Sequence, residues 1–163
     1  MILTHPEFPR TRIGRDDQAE LAKLGVVIEK NWFNLAQKSK NAVREALPEF
    51  NRKNSENASA YIVTTVVLNR SGFDKDGTAV TEIGNGWGYY DLGLNNMALL
   101  LKATELGIST LVMGIRDGEK LRKEFDIPKT EAVVSVIAVG YTDSEIVRPK
   151  RKSVEDFAKF YED

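Results

Sequence analysis

The segment from Asp91 to Gly107, DLGLNNMALLLKATELG, is almost wholly apolar and ends in a glycine. As a helix over Asp91–Leu106, it would direct leucines to nearly every side, which is too many for one small core to cover. An ordinary core helix is one interpretation. We favour burial against a second copy of the chain, because the interface of an obligate homodimer resembles a core cut in half.

Residues 109–114, STLVMG, follow this segment directly. They predict a short buried strand that ends at Met113 and Gly114. A glycine at the end of a strand allows the backbone to approach a ligand closely, and ligand sites are concave and mostly apolar. We therefore expect the backbone of Met113 and Gly114 to lie against a flat ligand.

Two other runs are rich in β-branched residues and nearly continuous in apolar character. Tyr61–Leu68 (YIVTTVVL) predicts a central strand covered on both faces, and Val133–Tyr141 (VVSVIAVGY) predicts a second buried strand. Polar residues 49–59 and the glycine-rich residues 69–88 predict loops.

Helices are predicted from capping signals and apolar spacing. They cover Asp17–Glu29, Ser39–Leu47, Asp117–Phe125 and a last segment opened by Ser153 with Asp156. Strands interleaved with helices predict an α/β or α+β fold with one central sheet. No domain boundary is evident, so we expect a single domain over residues 1–163.

The composition excludes several kinds of site. The chain has no cysteine, which excludes disulfides, thiol nucleophiles and cysteine-ligated metals and favours a reducing compartment. Its one histidine, His5, cannot build a histidine-rich zinc site, so no metal is expected. The net charge of −1 argues against a nucleic-acid partner.

The N-terminus does not resemble a signal peptide, since MIL is followed at once by the polar THPE. The longest apolar run is far too short to span a bilayer, so no membrane partner is expected. A cytoplasmic protein is the resulting expectation.

The stretch Gly84–Gly88, GNGWG, lacks the glycine spacing of a dinucleotide-binding fingerprint, and no strand leads directly into it. A flexible turn is one interpretation. The other is one wall of a flat ligand site, in which Trp87, Tyr89 and Tyr90 supply the aromatic surface.

The densest basic cluster is Arg148–Lys152, RPKRK. It is either a solvated surface run or a clamp for a phosphate group, because lysine and arginine are the usual charged partners of phosphate.

The order and spacing of several motifs over residues 47–160 resemble the FMN-dependent nitroreductase family. The matching pieces are LPEFN (47–51), NRSGF (69–73), GNGW (84–87), YDLGL (90–94), ATELG (103–107), TLVMG (110–114), IAVGY (137–141) and PKRK (149–152).

The resemblance implies an α+β fold with a mixed or mostly antiparallel central sheet flanked by helices, in an intertwined homodimer with FMN at each subunit boundary. It implies an FMN-dependent NAD(P)H oxidoreductase that uses NADH or NADPH and reduces nitroaromatics, quinones or flavins by a ping-pong mechanism. The cofactor supplies most of the chemistry in such enzymes, so no catalytic side chain is expected. The alternative is a related dimeric module that binds flavin without catalysis.

The resemblance also assigns residues to the site. Met113 and Gly114 fall where the family places backbone against the flavin ring, and Lys150 and Arg151 fall where it holds the FMN phosphate. At the N-terminus, Arg10, Arg12 and Asn31 stand for further FMN contacts, although the chain lacks the family's serine and Gln-Pro there. Trp87 and Tyr89 are the expected substrate-binding residues.

Overall fold

The computed structural model of the chain describes residues 35–143 and 149–161. Its sheet has three strands: β1 (Ala60–Val67), β2 (Ser109–Met113) and β3 (Glu131–Gly140). Strand β3 pairs antiparallel with both others, in the order β1-β3-β2. The sheet is therefore small and antiparallel within the described residues.

The prediction that Tyr61–Leu68 would be the central strand is wrong for the described sheet, where β3 occupies the centre and β1 an edge. Both strands have near-continuous apolar runs, and such a run indicates burial on two faces without giving the order of strands. The two-sided burial itself is confirmed, because Ala60 and Tyr61 belong to apolar clusters on opposite faces.

The described residues form four α-helices: α1 (Leu35–Glu45), α2 (Glu49–Asn54), α3 (Gly86–Glu105) and α4 (Gly118–Glu124). The expected loop at residues 49–59 is wrong in its first half. Helix α2 begins directly after Pro48, and Glu49 in its first turn interacts favourably with the positive end of the helix dipole.

Helix α3 begins at Gly86, earlier than the predicted Asp91, so the preceding loop covers residues 69–85. Two of its glycines are required by close packing. A Cβ atom on Gly86 would lie 2.5 Å from Ile83, and one on Gly88 would lie 2.8 Å from Val66. The glycine-rich stretch thus forms the first turn of a helix docked closely on β1.

The core consists of one apolar cluster on each face of the sheet. Helix α3 covers the first cluster through Leu99 and Ala103, packed against Ile62 and Ile137. Helices α1 and α4 cover the second cluster, which contains Val43, Leu121, Tyr61, Met113 and Val136. The architecture is a sheet flanked by helices, as predicted.

At the C-terminal end, Ser153 and Asp156 form the predicted capping interaction, with the Ser153 N–H donating to Asp156 Oδ2 at 2.9 Å. The helix that follows is only one 3₁₀ turn, Val154–Asp156. Phe157 and Phe160 are largely exposed, so no apolar packing extends the helix. The predicted helix at Asp17–Glu29 lies outside the described residues. Within the described residues, no helix has the length and apolar character needed to cross a membrane.

Candidate functional site

The end of strand β2 turns the Met113 side chain into the core and leaves the backbone after it open. Met113 is 2% exposed and packs in the cluster under α1 and α4. Gly114 is exposed, has no left-handed backbone, and a Cβ atom built on it would meet nothing within 4 Å. Nothing in the described fold therefore requires a glycine at position 114.

Gly93 is the other described glycine that has neither a positive φ nor a neighbour near its missing Cβ. It lies in the middle of α3, where glycine costs roughly 0.5–1 kcal/mol relative to alanine. The described residues do not account for this cost, because none of them packs against the missing Cβ of Gly93.

The turn after β2 is held by two side chains that sequence reasoning did not identify. The Arg116 guanidinium donates from Nη1 to the Gly114 carbonyl at 3.1 Å and from Nη2 to the Val133 carbonyl on β3. Asn51 on α2 donates from Nδ2 to the Ile115 carbonyl at 3.0 Å. Asn51 is the last residue of the LPEFN motif, and its place in that motif is the sequence signal that could have identified it as a site residue.

An aromatic cluster occupies the first turn of α3. The Trp87 indole N–H donates to Thr81 Oγ1 at 2.7 Å, and its ring meets Tyr90 edge-on at a centroid distance of 6.0 Å. Tyr89 and Tyr90 are both exposed. The cluster thus has an exposed aromatic surface, and the loop before α3 fixes the orientation of the Trp87 ring.

The sheet topology relates this cluster to Gly114. Strands β1 and β2 both run antiparallel to β3, so they are parallel to each other and their carboxyl ends point towards the same end of the sheet. Gly88 packs on Val66 near the end of β1, and Gly114 follows the end of β2. Within residues 35–143 and 149–161, no hydrogen bond or ring contact joins Trp87 or Tyr89 to Met113 or Gly114.

The outer side of α3 carries an apolar stripe, defined by Tyr90, Leu94, Met97 and Leu101, all more than half exposed. Their spacing of four, three and four residues places them on one face of the helix, and Gly93 lies within that face. The described residues leave this stripe uncovered.

The basic side chains Lys150 and Arg151 are exposed, and neither makes a hydrogen bond or ion pair with the described part of the chain. The structure does not bring them against Met113 or Gly114, and residues 144–148 before them are not described. Arg10, Arg12 and Asn31 lie outside the described residues. Their assignment to FMN therefore stays a prediction.

Helix α1 contains a buried amine. Lys40 is 2% exposed, and its Nζ donates to the Ala58 carbonyl at 2.5 Å. Burial, with a smaller contribution from Arg44, lowers the pKa of Lys40 to about 8.

Among the described residues, no group of three or more His, Asp or Glu side chains could hold a metal ion.

Known structures share this fold at low sequence identity. CLA-ER, an enone reductase of gut-bacterial fatty acid saturation, is 18% identical and aligns over 97% of this chain and 91% of its own, with a TM-score of 0.72. The Bacillus subtilis protein ydfN is 18% identical over 98% and 92%, with a TM-score of 0.71. A nitroreductase family protein from Clostridium difficile 630 is 15% identical over 91% and 87%, with a TM-score of 0.65.

No curated protein sequence matches the chain significantly. The sequence model of the nitroreductase family, however, matches residues 10–141, which is most of the chain. The solved structures above share the fold of the chain. The chain therefore belongs to the nitroreductase family.

Proposed function

We propose that the protein is an FMN-dependent NAD(P)H oxidoreductase that works as a homodimer. The observation that carries this proposal is Gly114, a glycine in open space whose absent side chain serves no purpose in the described fold. A flat ring stacked against this backbone would give the glycine a purpose. Membership of the nitroreductase family supports an oxidoreductase as the activity class.

Bound FMN would supply the electron transfer between a nicotinamide and an acceptor. The chain would orient the flavin ring through backbone N–H groups near Gly114, and donors fixed in advance stabilise charge without reorganisation. Lys150 and Arg151 would hold the phosphate by charge-assisted hydrogen bonds, with Arg10, Arg12 and Asn31 as further contacts. The open space among the described residues supports this placement, since no atom beyond the chain neighbours of Gly114 lies within 4 Å of its missing Cβ.

The homodimer is proposed from the apolar stripe on α3. Four large side chains exposed on one helix face form an apolar surface of the kind that an obligate interface buries. Gly93 within that face would allow the partner's backbone to approach closely. A second copy of the same chain is the occupant that fits, because a long apolar helix can cover its own counterpart across a twofold axis.

For the acceptor, we propose a flat, electron-poor molecule such as a nitroaromatic, a quinone or a flavin. Trp87 and Tyr89 would form one wall of its site, because exposed aromatic faces stack well on planar rings. Since CLA-ER reduces enones, an enone belongs in the same panel of test acceptors.

The test is an absorbance spectrum of the purified protein with and without added FMN, followed by anaerobic addition of NADH or NADPH. A flavin spectrum that bleaches with nicotinamide and recovers with acceptor is the expected result. A flavin spectrum that no nicotinamide bleaches would replace the enzyme by a flavin-binding module. A protein that takes up no FMN would overturn both.

A further inference from the structure

We propose that Arg116 is a positioning residue of the FMN site: it fixes the Gly114–Ile115 peptide so that the Ile115 N–H faces the ligand as a preorganised donor. This inference rests on the proposed function and deepens it. It extends the contact surface beyond Met113 and Gly114 and assigns a role to a side chain that itself faces the protein.

The orientation of this peptide follows from its hydrogen bonds. Arg116 Nη1 donates to the Gly114 carbonyl at 3.1 Å, while Nη2 donates to the Val133 carbonyl. In a planar trans peptide the N–H points opposite to the carbonyl. The Ile115 N–H therefore points away from Arg116, and it donates to no atom of the described residues.

Two further hydrogen bonds hold the same turn from its inner side. Asn51, which is 6% exposed, donates to the Ile115 carbonyl at 3.0 Å. The Asp117 N–H donates to the Ala46 carbonyl at 2.7 Å. The turn is thus tied at three points to β3, α2 and the end of α1. The Ile115 N–H is therefore held in place before any ligand arrives, as an electrostatic stabiliser requires.

The charge of Arg116 adds to the effect of its position. A cation bonded to the Gly114 carbonyl polarises that peptide and strengthens its N–H as a donor. Arg116 Nε is buried and has no partner among the described residues, which carries a desolvation cost. A residue that served packing alone would avoid this cost, whereas bridging two carbonyls needs the planar fork of arginine.

The experiment compares Arg116→Met, Arg116→Lys and the control Arg52→Met in the FMN-loaded protein. Arg52 is exposed on α2 and makes no side-chain interaction with the described residues. The measured quantities are the affinity for oxidised FMN, the flavin midpoint potential and the melting temperature without FMN. A donor that stabilises the more negative, reduced flavin raises the affinity ratio of reduced to oxidised FMN.

In Arg116→Met this ratio should fall about tenfold, which lowers a two-electron potential by about 30 mV. Arg116→Lys keeps the charge but loses the planar guanidinium. Its affinity ratio should therefore lie between those of Arg116→Met and the wild type. Arg52→Met should have the same FMN affinity and flavin potential as the wild type. A lowered melting temperature with a wild-type potential in either Arg116 variant would assign Arg116 to the fold alone and overturn the inference.

If Arg116→Met does not fold, Arg116→Lys decides by the same potential, and failure of both to fold also overturns the positioning role. A wild-type protein that takes up no FMN overturns the proposed function and this inference together. If the wild type binds FMN and the Arg116 variants have the same flavin potential as the wild type, the inference about Arg116 is overturned and the proposed function stands.

Discussion

Gly72 and Trp87 are in contact so close that a Cβ atom on Gly72 would lie 2.5 Å from Cδ1 of the indole ring. Gly72 also has a φ of 79°, which residues with a side chain rarely adopt. The loop before α3 therefore fixes Trp87 from two directions, by this contact and by the hydrogen bond to Thr81.

We expect Gly72→Ala to displace the Trp87 ring and to destabilise the fold by about 1–3 kcal/mol, from backbone strain together with steric overlap. Gly77→Ala is the matched control, because Gly77 has a φ of 84° and no atom within 4 Å of its missing Cβ. Tryptophan fluorescence in a Trp32→Phe background should change in Gly72→Ala only. Equal spectra for the two variants would contradict the contact.

Gly114→Val should abolish FMN binding and NAD(P)H oxidation together, because the added side chain would occupy the space proposed for the ring. The fold should persist, since a Cβ atom at this position meets nothing and its backbone is unstrained. Circular dichroism checks the fold, and flavin absorbance after gel filtration checks binding. A variant that retains FMN and full turnover places the flavin elsewhere.

Replacing Lys150 and Arg151 with alanine should weaken FMN far more than riboflavin, which lacks the phosphate. Hydrogen bonds to charged groups contribute roughly 1.5–3 kcal/mol each, so about tenfold or more per residue is expected. Lys159→Ala, an exposed lysine in the same segment, serves as the control. Titration of both ligands by fluorescence gives the comparison, and an equal loss for both would remove the phosphate role.

Leu101→Asp should convert the homodimer to monomers, because a charge within a buried apolar interface is left unpaired. Leu101 is 63% exposed, whereas Leu100 packs partly on the chain's own core and would confound the result. Gly93→Leu should act similarly by blocking close approach. Val80→Asp, exposed outside the stripe, should remain dimeric; light scattering at micromolar concentration measures each mass.

Lys40 should make stability depend on pH in the alkaline range. Its pKa is about 8 in the fold against 10.5 as the ordinary value. Between these values the unfolded chain binds more protons, so the free energy of unfolding should rise with pH from 8 to 10.5, by on the order of 3 kcal/mol.

Well below pH 8, Lys40 is protonated in both the folded and the unfolded state and contributes no further change. Lys40→Met should lose the alkaline rise, whereas the exposed Lys53→Met should keep it. Urea unfolding at pH 7.5, 9 and 10.5 makes the comparison. The same slope in all three proteins would show that Lys40 is not the group responsible.

Much of the fold could be predicted because its signals are local. The β-branched runs located β1 and β3, and the Asp117 cap located α4, where Asp117 Oδ1 accepts from the Lys120 N–H. The order of strands depends on pairings between distant residues, so the apolar run at residues 61–68 could not show that β1 lies at an edge of the described sheet. Helix α2 was missed because six mostly polar residues carry no apolar period.

The candidate site was predictable only where a residue type is unusual for its place. Gly114 at a strand end and Trp87 after two glycines stand out in the sequence. Arg116 and Asn51 do not, because their role consists of bonds to backbone carbonyls that only the folded turn brings near. The phosphate contacts of Lys150 and Arg151 stay a prediction.

The pairing of β1 with β3 has a consequence for how the chain is made. Thr64 and Ser135, whose hydroxyl groups lie 2.8 Å apart across these strands, are separated by 71 positions in the sequence. A ribosome adds residues at roughly 5–20 per second, so β1 emerges several seconds before its partner exists. During that interval the run YIVTTVVL is an unpaired, uncharged strand, the kind of segment that aggregates. Shielding of β1 by a chaperone during this interval would therefore protect the nascent protein from aggregation.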